Sequence, residues 1–437
     1  MSHPSVSRIG RTLAGLTAVT ACSAGLLSAT APASAAPSRA PGAPGARYES
    51  GYPNLAPTPP MGWNNWSYYQ CGGLNEQVVL DNARALVRSG LAHRGYRTVT
   101  IDDCWMAKQR GPQGELVADT AKFPHGMAHV GQELHKMGLK FGIYEDVGTL
   151  TCGKYPGSLG HFEQDAKLFA SWGVDYLKAD GCNVPVPKGQ TKEQAYRALY
   201  TQQSRALRAT GRPITFSISA PAYFQFSGDA LWHRVIKWSA ELGNLWRGGA
   251  DIAVQQSTPA AKWASISGNF RYNANLAELQ RPGRWNDPDF LLVGDSGLSR
   301  DEMQSQMSLW AVMAAPLISS TDLGRLSPQA QSILGNREVI AVDQDPLGVQ
   351  GHIVQQDGDA AVLSKPLRNG DRAIALFNGG STARTLSIRA AAAGLPAADS
   401  YRLRDLVTGR NGRTARTLIA RNVPPHATVL YRVRAER

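Results

Sequence analysis

A parallel α/β barrel followed by an antiparallel β domain is the fold that this sequence of 437 residues predicts. Three observations carry the prediction. Strands and helices alternate from Leu55 to Asp345, with connections too short for an antiparallel return, as in a parallel sheet wrapped by helices. Polar clusters at Asp102-Asp103, Tyr144, Lys178 with Asp180, and Asp287 each end a separate strand, while no Gly-x-Gly-x-x-Gly turn opens a βα unit. This favours a closed eight-fold barrel over an open doubly wound sheet, because a barrel brings many strand ends to one centre. After Pro346 the texture becomes short alternating runs separated by Gly, Asn, Asp and Pro, which read as an antiparallel β-sandwich domain over 346–437.

The elements follow in order. Arg8 and Arg11 precede an uncharged run of apolar and small residues, and Ala33-Ser34-Ala35 fits the small-x-small cleavage rule, so 1–35 reads as a signal peptide and export is expected. The rival is Val19-Thr20-Ala21-Cys22, a box of the kind that precedes a lipid-modified cysteine, which would anchor the chain through Cys22. Residues 36–54, rich in Pro, Gly, Ala and Ser, read as a flexible leader. The barrel is expected over 55–345. Asn75 can cap a helix in which Val79, Ala83, Leu86 and Val87 recur at helical spacing, before a strand from Tyr96 to Ile101. His161 to Trp172 carries Phe162, Ala166 and Phe169 on one face and stops at Gly173. The strand Val174 to Asp180 follows, then a helix from Lys192 to Thr210 and a strand from Ile214 to Ile218. In the last domain Ala360 to Ser364, Arg372 to Phe377, Thr385 to Ile388 and Thr428 to Val433 are the expected strands.

Composition narrows the function. The formal net charge of +12 comes from scattered basic residues, such as Arg402, Arg404, Arg410, Arg413, Arg416 and Arg421, without a dense block or interleaved aromatic platforms. A nucleic-acid binder is therefore not expected. Past the leader no run of roughly 18 apolar residues exists, so no membrane span is expected. If Cys22 leaves with the signal, Cys71, Cys104, Cys152 and Cys182 remain, an even number suited to two disulfides in an oxidising compartment. Spacing alone allows three pairings, and the intervals are too long for a structural zinc site.

The stretch Val174-Asp175-Tyr176-Leu177-Lys178-Ala179-Asp180-Gly181-Cys182 is the most informative. Side chains alternate across a strand, so Tyr176, Lys178 and Asp180 share one face while Leu177 and Ala179 take the other. Further carboxylates stand at Asp102, Asp103, Asp251, Asp287 and Asp289, with Trp63, Trp66, Trp105, Tyr144, Trp246 and Trp285 close to them in sequence. Carboxylates bind sugar hydroxyls and flat aromatic faces cover the apolar side of a pyranose, so a carbohydrate is the expected partner. Two carboxylates flanking a glycosidic bond suffice to hydrolyse it. A divalent metal on Asp102, Asp103, Asp180 and Asp287 is the competing reading. Lys178, two residues from Asp180 on the same face, would repel such an ion, so no metal or cofactor is expected.

Six motifs add a resemblance: Met61-Gly62-Trp63-Asn64-Asn65-Trp66, Ile101-Asp102-Asp103-Cys104-Trp105, Lys140-Phe141-Gly142-Ile143-Tyr144, Leu177-Lys178-Ala179-Asp180-Gly181-Cys182, Trp285-Asn286-Asp287-Pro288-Asp289 and Gln344-Asp345-Pro346-Leu347-Gly348. In order and spacing they resemble the melibiase-type α-galactosidases and α-N-acetylgalactosaminidases of glycoside hydrolase family 27. The resemblance implies a (β/α)8 barrel and a retaining double displacement. It makes Asp180 the nucleophile and Asp251 the acid/base, with the two carboxyls about 5 to 5.5 Å apart. Lys178 would keep Asp180 ionised, and Asp251 would need a raised pKa to arrive protonated. Trp63, Asp102, Asp103, Tyr144 and Lys178 would line a galactose-type ring, with Arg247 near its 2-substituent. The resemblance also implies that Cys71 pairs with Cys104 and Cys152 with Cys182.

One segment departs from the family pattern. Where many α-galactosidases of this family read Cys-Glu-Trp after the nucleophile, this chain reads Ser217-Ile218-Ser219-Ala220-Pro221-Ala222-Tyr223. Small Ser219 and Ala222 resemble the N-acetylgalactosaminidases, although the tryptophan is absent and the segment from Phe224 to Asn244 follows neither pattern. The expected activity is a secreted exo-hydrolysis of terminal α-galactose, with terminal α-N-acetylgalactosamine as the alternative. A β-L-arabinopyranoside or an isomaltose-type glucan is less favoured, as is a non-catalytic sugar-binding protein. The sequence assigns no oligomeric state.

Overall fold

A computed structural model describes residues 55–295 and 297–436. The expected signal peptide, the flexible leader and Cys22 lie outside the described residues. Eight parallel strands form the barrel: β1 (Met61–Asn64), β2 (Thr98–Ile101), β3 (Lys140–Asp146), β4 (Tyr176–Asp180), β5 (Thr215–Ile218), β6 (Leu245–Arg247), β7 (Trp285–Asp287) and β8 (Leu317–Ser319). They pair in chain order, β1 also pairs β8, and a parallel bridge between Leu291 and Ser319 brings the chain beyond β7 against β8 and closes the ring.

Helices follow the strands, and their ends carry the chemistry that places them. Asn75 caps Glu76–Arg88 by accepting from the Val78 amide, and Thr191 closes a capping box with Gln194 at the start of Lys192–Ala209. Such caps satisfy amides that the first turn leaves without partners. Val79, Ala83 and Leu86 are buried as the helical period requires, whereas Val87 turns outward and is exposed. The second strand also begins later than expected, at Thr98. Tyr96 is instead a buried side chain whose hydroxyl donates to the Leu334 carbonyl.

On β4 the alternation is as expected. Leu177 and Ala179 belong to the large core between sheet and helices, whereas Tyr176 packs with Leu245, Trp285 and Ala314 in a separate small cluster. Lys178 and Asp180, further along the same face, therefore rise from an apolar floor toward the carboxyl end of the barrel.

Strands β9 (His352–Asp357), β10 (Ala360–Pro366), β11 (Arg372–Asn378), β12 (Arg384–Arg389), β13 (Ser400–Asp405), β14 (Asn411–Thr414), β15 (Thr417–Val423) and β16 (Thr428–Glu436) follow. Six make one antiparallel sheet, β14-β13-β16-β11-β10-β9, and β12 with β15 makes the second layer. The period of two has a direct consequence on β10 and β11. Ala360, Val362, Ile374 and Leu376 fill the space between the two sheets, while Ala361, Leu363, Ala373, Ala375 and Phe377 join the barrel's core. The helix Arg300–Met313, packed against β10, β11 and β16 as well as β8, is consequently buried nearly all round from Met303 to Met313.

Candidate active site

The site is built at the carboxyl ends of the strands. Asp102, just past β2, accepts from the Asn64 side-chain amide and from the Lys178 ammonium, each at 2.7 Å, and its own amide donates to the Asn65 side chain. β2 and β4 are thus joined by one buried ion pair, and β1 joins them through the Asn64 hydrogen bond. Lys178 is held firmly protonated: burial works against its charge, but Asp102, Asp180 and Asp289 outweigh it. Its ammonium also lies 5.1 Å from the Tyr144 ring centre and 5.2 Å from that of Phe290.

Asp103 points to a different partner. Its carboxylate accepts from the Cys104 amide at 2.6 Å and the Gly153 amide at 2.7 Å, and burial pushes its carboxyl up. A Cβ on Gly153 would stand 2.8 Å from the Cys104 sulfur, so only glycine allows this approach. The disulfides Cys71–Cys104 and Cys152–Cys182 are both formed, as the resemblance implied, and hold the loops after β2, β3 and β4.

Asp180, at the end of β4, is partly buried. Desolvation raises its carboxyl above the ordinary range, Lys178 and the Ser219 hydroxyl pull it down, and Asp102 and Asp251 push it up again. The net shift is upward. Lys178 therefore opposes protonation of Asp180, in the direction that the resemblance implies, while burial works the other way.

Asp251 differs in every respect. Its side chain is 81% exposed at the open mouth, with the Arg247 guanidinium 3.0 Å away. Partial desolvation raises its carboxyl, but Arg247 and Lys178 outweigh that and hold it below the ordinary range. The carboxyl that the resemblance needs raised is thus held low by a guanidinium four residues away, a reach that the sequence does not show. Arg247 is itself fixed by a buried pair with Asp289 at 3.0 Å, and Asp289, burial prevailing, is raised to about 6.

The remaining expected residues fall around this centre. Asp287, buried and raised by burial, accepts from the Asp289 amide and acts on Arg247 and Tyr176. Tyr144 is buried and feels Asp180, Asp103, Asp146 and Asp102, so its hydroxyl stays protonated. Trp63 is buried beside them and donates its indole N–H to the Thr321 carbonyl. Ser219 precedes a short 3-10 helix, Ala220–Phe224, and its carbonyl accepts from the Ala222 amide.

Four site residues were not singled out from sequence. Asn64 and Asn65 brace Asp102. Asp146 accepts from the Gly148 and Cys182 amides at 2.7 Å each, and burial raises it to about 7. The Tyr223 hydroxyl lies 3.0 Å from the Cys182 sulfur and accepts from the Gly181 amide. A signal for Asp146 existed, since the period of two places it on the face of Tyr144 once β3 is extended two residues.

The chain matches the family profile described as alpha galactosidase A over residues 58–345, and that of the alpha galactosidase C-terminal beta sandwich domain over 357–433. It is 42% identical over 383 residues to an Aspergillus niger protein named alpha-galactosidase A, covering 87% of this chain and 70% of that one. It is similar to the crystal structure of alpha-galactosidase I from Mortierella vinacea, with a TM-score of 0.78, 32% identity, and coverage of 87% and 98% of the two chains. A Saccharomyces cerevisiae alpha-galactosidase solved with raffinose gives a TM-score of 0.77 at 29% identity, covering 88% and 99%.

Proposed function

This chain belongs to the alpha galactosidase A family, glycoside hydrolase family 27, and from that premise we propose that it is a secreted, retaining exo-α-galactosidase. The observation that carries the reading is the pair of unlike carboxylates. Asp180 is fixed on a strand end beside the Lys178–Asp102 pair, whereas Asp251 stands open at the mouth, and each lies within range of the other's charge or of the cations they share. The Asp180 carboxylate attacks the anomeric carbon as the glycosidic bond breaks, and Asp251 gives its proton to the leaving oxygen. A water, deprotonated by Asp251, then displaces Asp180 and restores the starting configuration. Arg247 and Lys178 hold the Asp251 carboxyl low, so its proton is secured by the substrate. A sugar seated over Asp251 removes water from it and separates it from solvent, which raises a carboxyl.

Trp63, Asp102, Asp103, Tyr144, Lys178 and Asp287 hold the ring in this reading, with Arg247 by its 2-substituent. Terminal α-N-acetylgalactosamine is the second reading, favoured by the small Ser219, which acts on Asp180, and the small Ala222 in the short helix that follows it. Export accords with the two disulfides, which persist in oxidising compartments. Boundaries at 55–345 for the barrel and 346–437 for the β domain are part of the proposal. A panel of nitrophenyl glycosides tests it: α-galactoside turnover well above α-glucoside and β-L-arabinopyranoside turnover is expected, and absence of α-galactoside hydrolysis overturns it.

A further inference from the structure

Far in function from the sugar chemistry, Glu76, His125 and His129 bring one carboxylate oxygen and two imidazole nitrogens within 4.8 Å of one another. We propose that these three side chains form a site for a divalent transition cation of the zinc type. Among the described residues only one other group meets the same spacing, Asp146 with Cys152 and Cys182, and its cysteines are consumed in a disulfide and offer no thiolate.

The donor set selects the ion. Two imidazoles and one carboxylate suit Zn²⁺, and also Ni²⁺ or Cu²⁺, whereas Mg²⁺ and Ca²⁺ prefer an all-oxygen shell. The two histidines stand four residues apart across the first turn of the helix Gly126–Lys136, so both rings rise on one face, with their centres 4.8 Å apart. Glu76, the first residue of the helix Glu76–Arg88, closes the set from across the gap, its Oε1 lying 2.7 Å from the His125 Nδ1. Ligand atoms around a tetrahedral Zn²⁺ lie about 3.4 Å apart at bond lengths of about 2.0 to 2.2 Å. An ion can therefore replace the Glu76–His125 hydrogen bond by rotation of the exposed His125 ring, with water as fourth ligand.

The scaffold is fixed where the ligands need it. Glu76 is buried, its amide donates to the Lys122 carbonyl, and the Lys122 ammonium donates to the carbonyls of Cys71 and Cys104. The ion would thus fasten the starts of two helices to the disulfide behind Asp103. The positive end of the Gly126–Lys136 helix works against a cation, and the site is open to water, so affinity in the micromolar range is expected rather than tighter.

Equilibrium dialysis of the tag-free chain against Zn²⁺ tests the proposal. One Zn²⁺ per chain is expected. His125→Ala and His129→Ala should each weaken that uptake by roughly tenfold or more, while His93→Ala, at an exposed histidine elsewhere, should not change it. The Co²⁺ form of the unmutated chain should show the visible absorption of a four-coordinate nitrogen-bearing site, which needs no variant to fold. No uptake at micromolar Zn²⁺, or uptake indifferent to both histidine changes, overturns the site.

Discussion

At the barrel mouth Asp103, Asp146, Asp180, Asp287 and Asp289 all have carboxyls raised above the ordinary range, with desolvation the largest cause in each. In the C-terminal domain buried Asp371 is lowered instead: desolvation is outweighed by Arg434, Asn369 and Arg432. The two regions lie on one chain and share one core, yet they use acidic residues for opposite ends. The mouth keeps carboxylates where they cost stability, which is the mark of groups retained for what they do to a ligand. The C-terminal domain places its charges at the rim of a sheet, where arginines from β16 reach them and little is at stake.

The sign of the pH dependence separates the buried mouth aspartates from Asp371, with Asp251, held low by Arg247, on the side of Asp371. A group raised on folding makes the native state bind more protons, so stability falls as pH climbs from the unfolded value through the folded one. For Asp146 that window runs from about 4 to about 7. A lowered group does the reverse. Asp371 contributes stability above its unfolded value and loses it as pH falls through its folded value.

The comparison breaks most visibly at Asp180. Asp180→Asn should lower kcat/KM on an α-galactoside by roughly 10⁴-fold or more, while leaving the melting temperature unchanged or higher, since a partly buried charge has been removed. A clear loss of stability would mean that the mouth charges serve the fold. A smaller effect is expected at the 2-position. Ser219→Glu should raise galactoside over N-acetylgalactosaminide kcat/KM by about tenfold, the worth of one charge-assisted bond of roughly 1.5 to 3 kcal/mol plus lost space. An unmoved ratio would remove the second reading.

Smaller still is the effect of losing the Ser219 hydroxyl, which lowers the Asp180 carboxyl. In Ser219→Ala the acid limb of kcat/KM should move to higher pH by up to about one unit. A shift to lower pH would contradict the environment assigned to Asp180. At the far end, Asp371→Asn should leave kcat/KM unaltered and cost about 1 to 2 kcal/mol near neutrality, because a buried carboxylate loses charge-assisted bonds from the half-exposed Arg432 and Arg434. That difference should vanish toward acid pH in urea titrations. A cost that persists there would give Asp371 a role beyond its charge.

What could be read from the sequence followed the strength of local signals. The alternation on β4, the Asn75 cap and the strand-end aspartates are short-range patterns, and they placed Lys178 and Asp180 on one face and Asp102 at the end of another strand. Asp146 escaped because β3 runs two residues beyond its apolar stretch. Strand β14 escaped because Asn411, Gly412 and Arg413 are exposed at the sheet edge and show no buried face, and β13 because Tyr401 is its one fully buried residue among Arg402, Arg404 and Asp405. The charge state of Asp251 could not be read at all, since it depends on a guanidinium four residues away folding back to 3.0 Å and on an open loop.

In the proposed mechanism Asp180 forms a bond to the anomeric carbon, and the configuration of the first product reports that bond most directly. Proton NMR of the unmutated enzyme hydrolysing an α-galactoside, recorded before mutarotation, should show α-galactose appearing first, because two inversions cancel. Initial release of the β-anomer would mean that water attacks directly, and Asp180 would then not be the nucleophile.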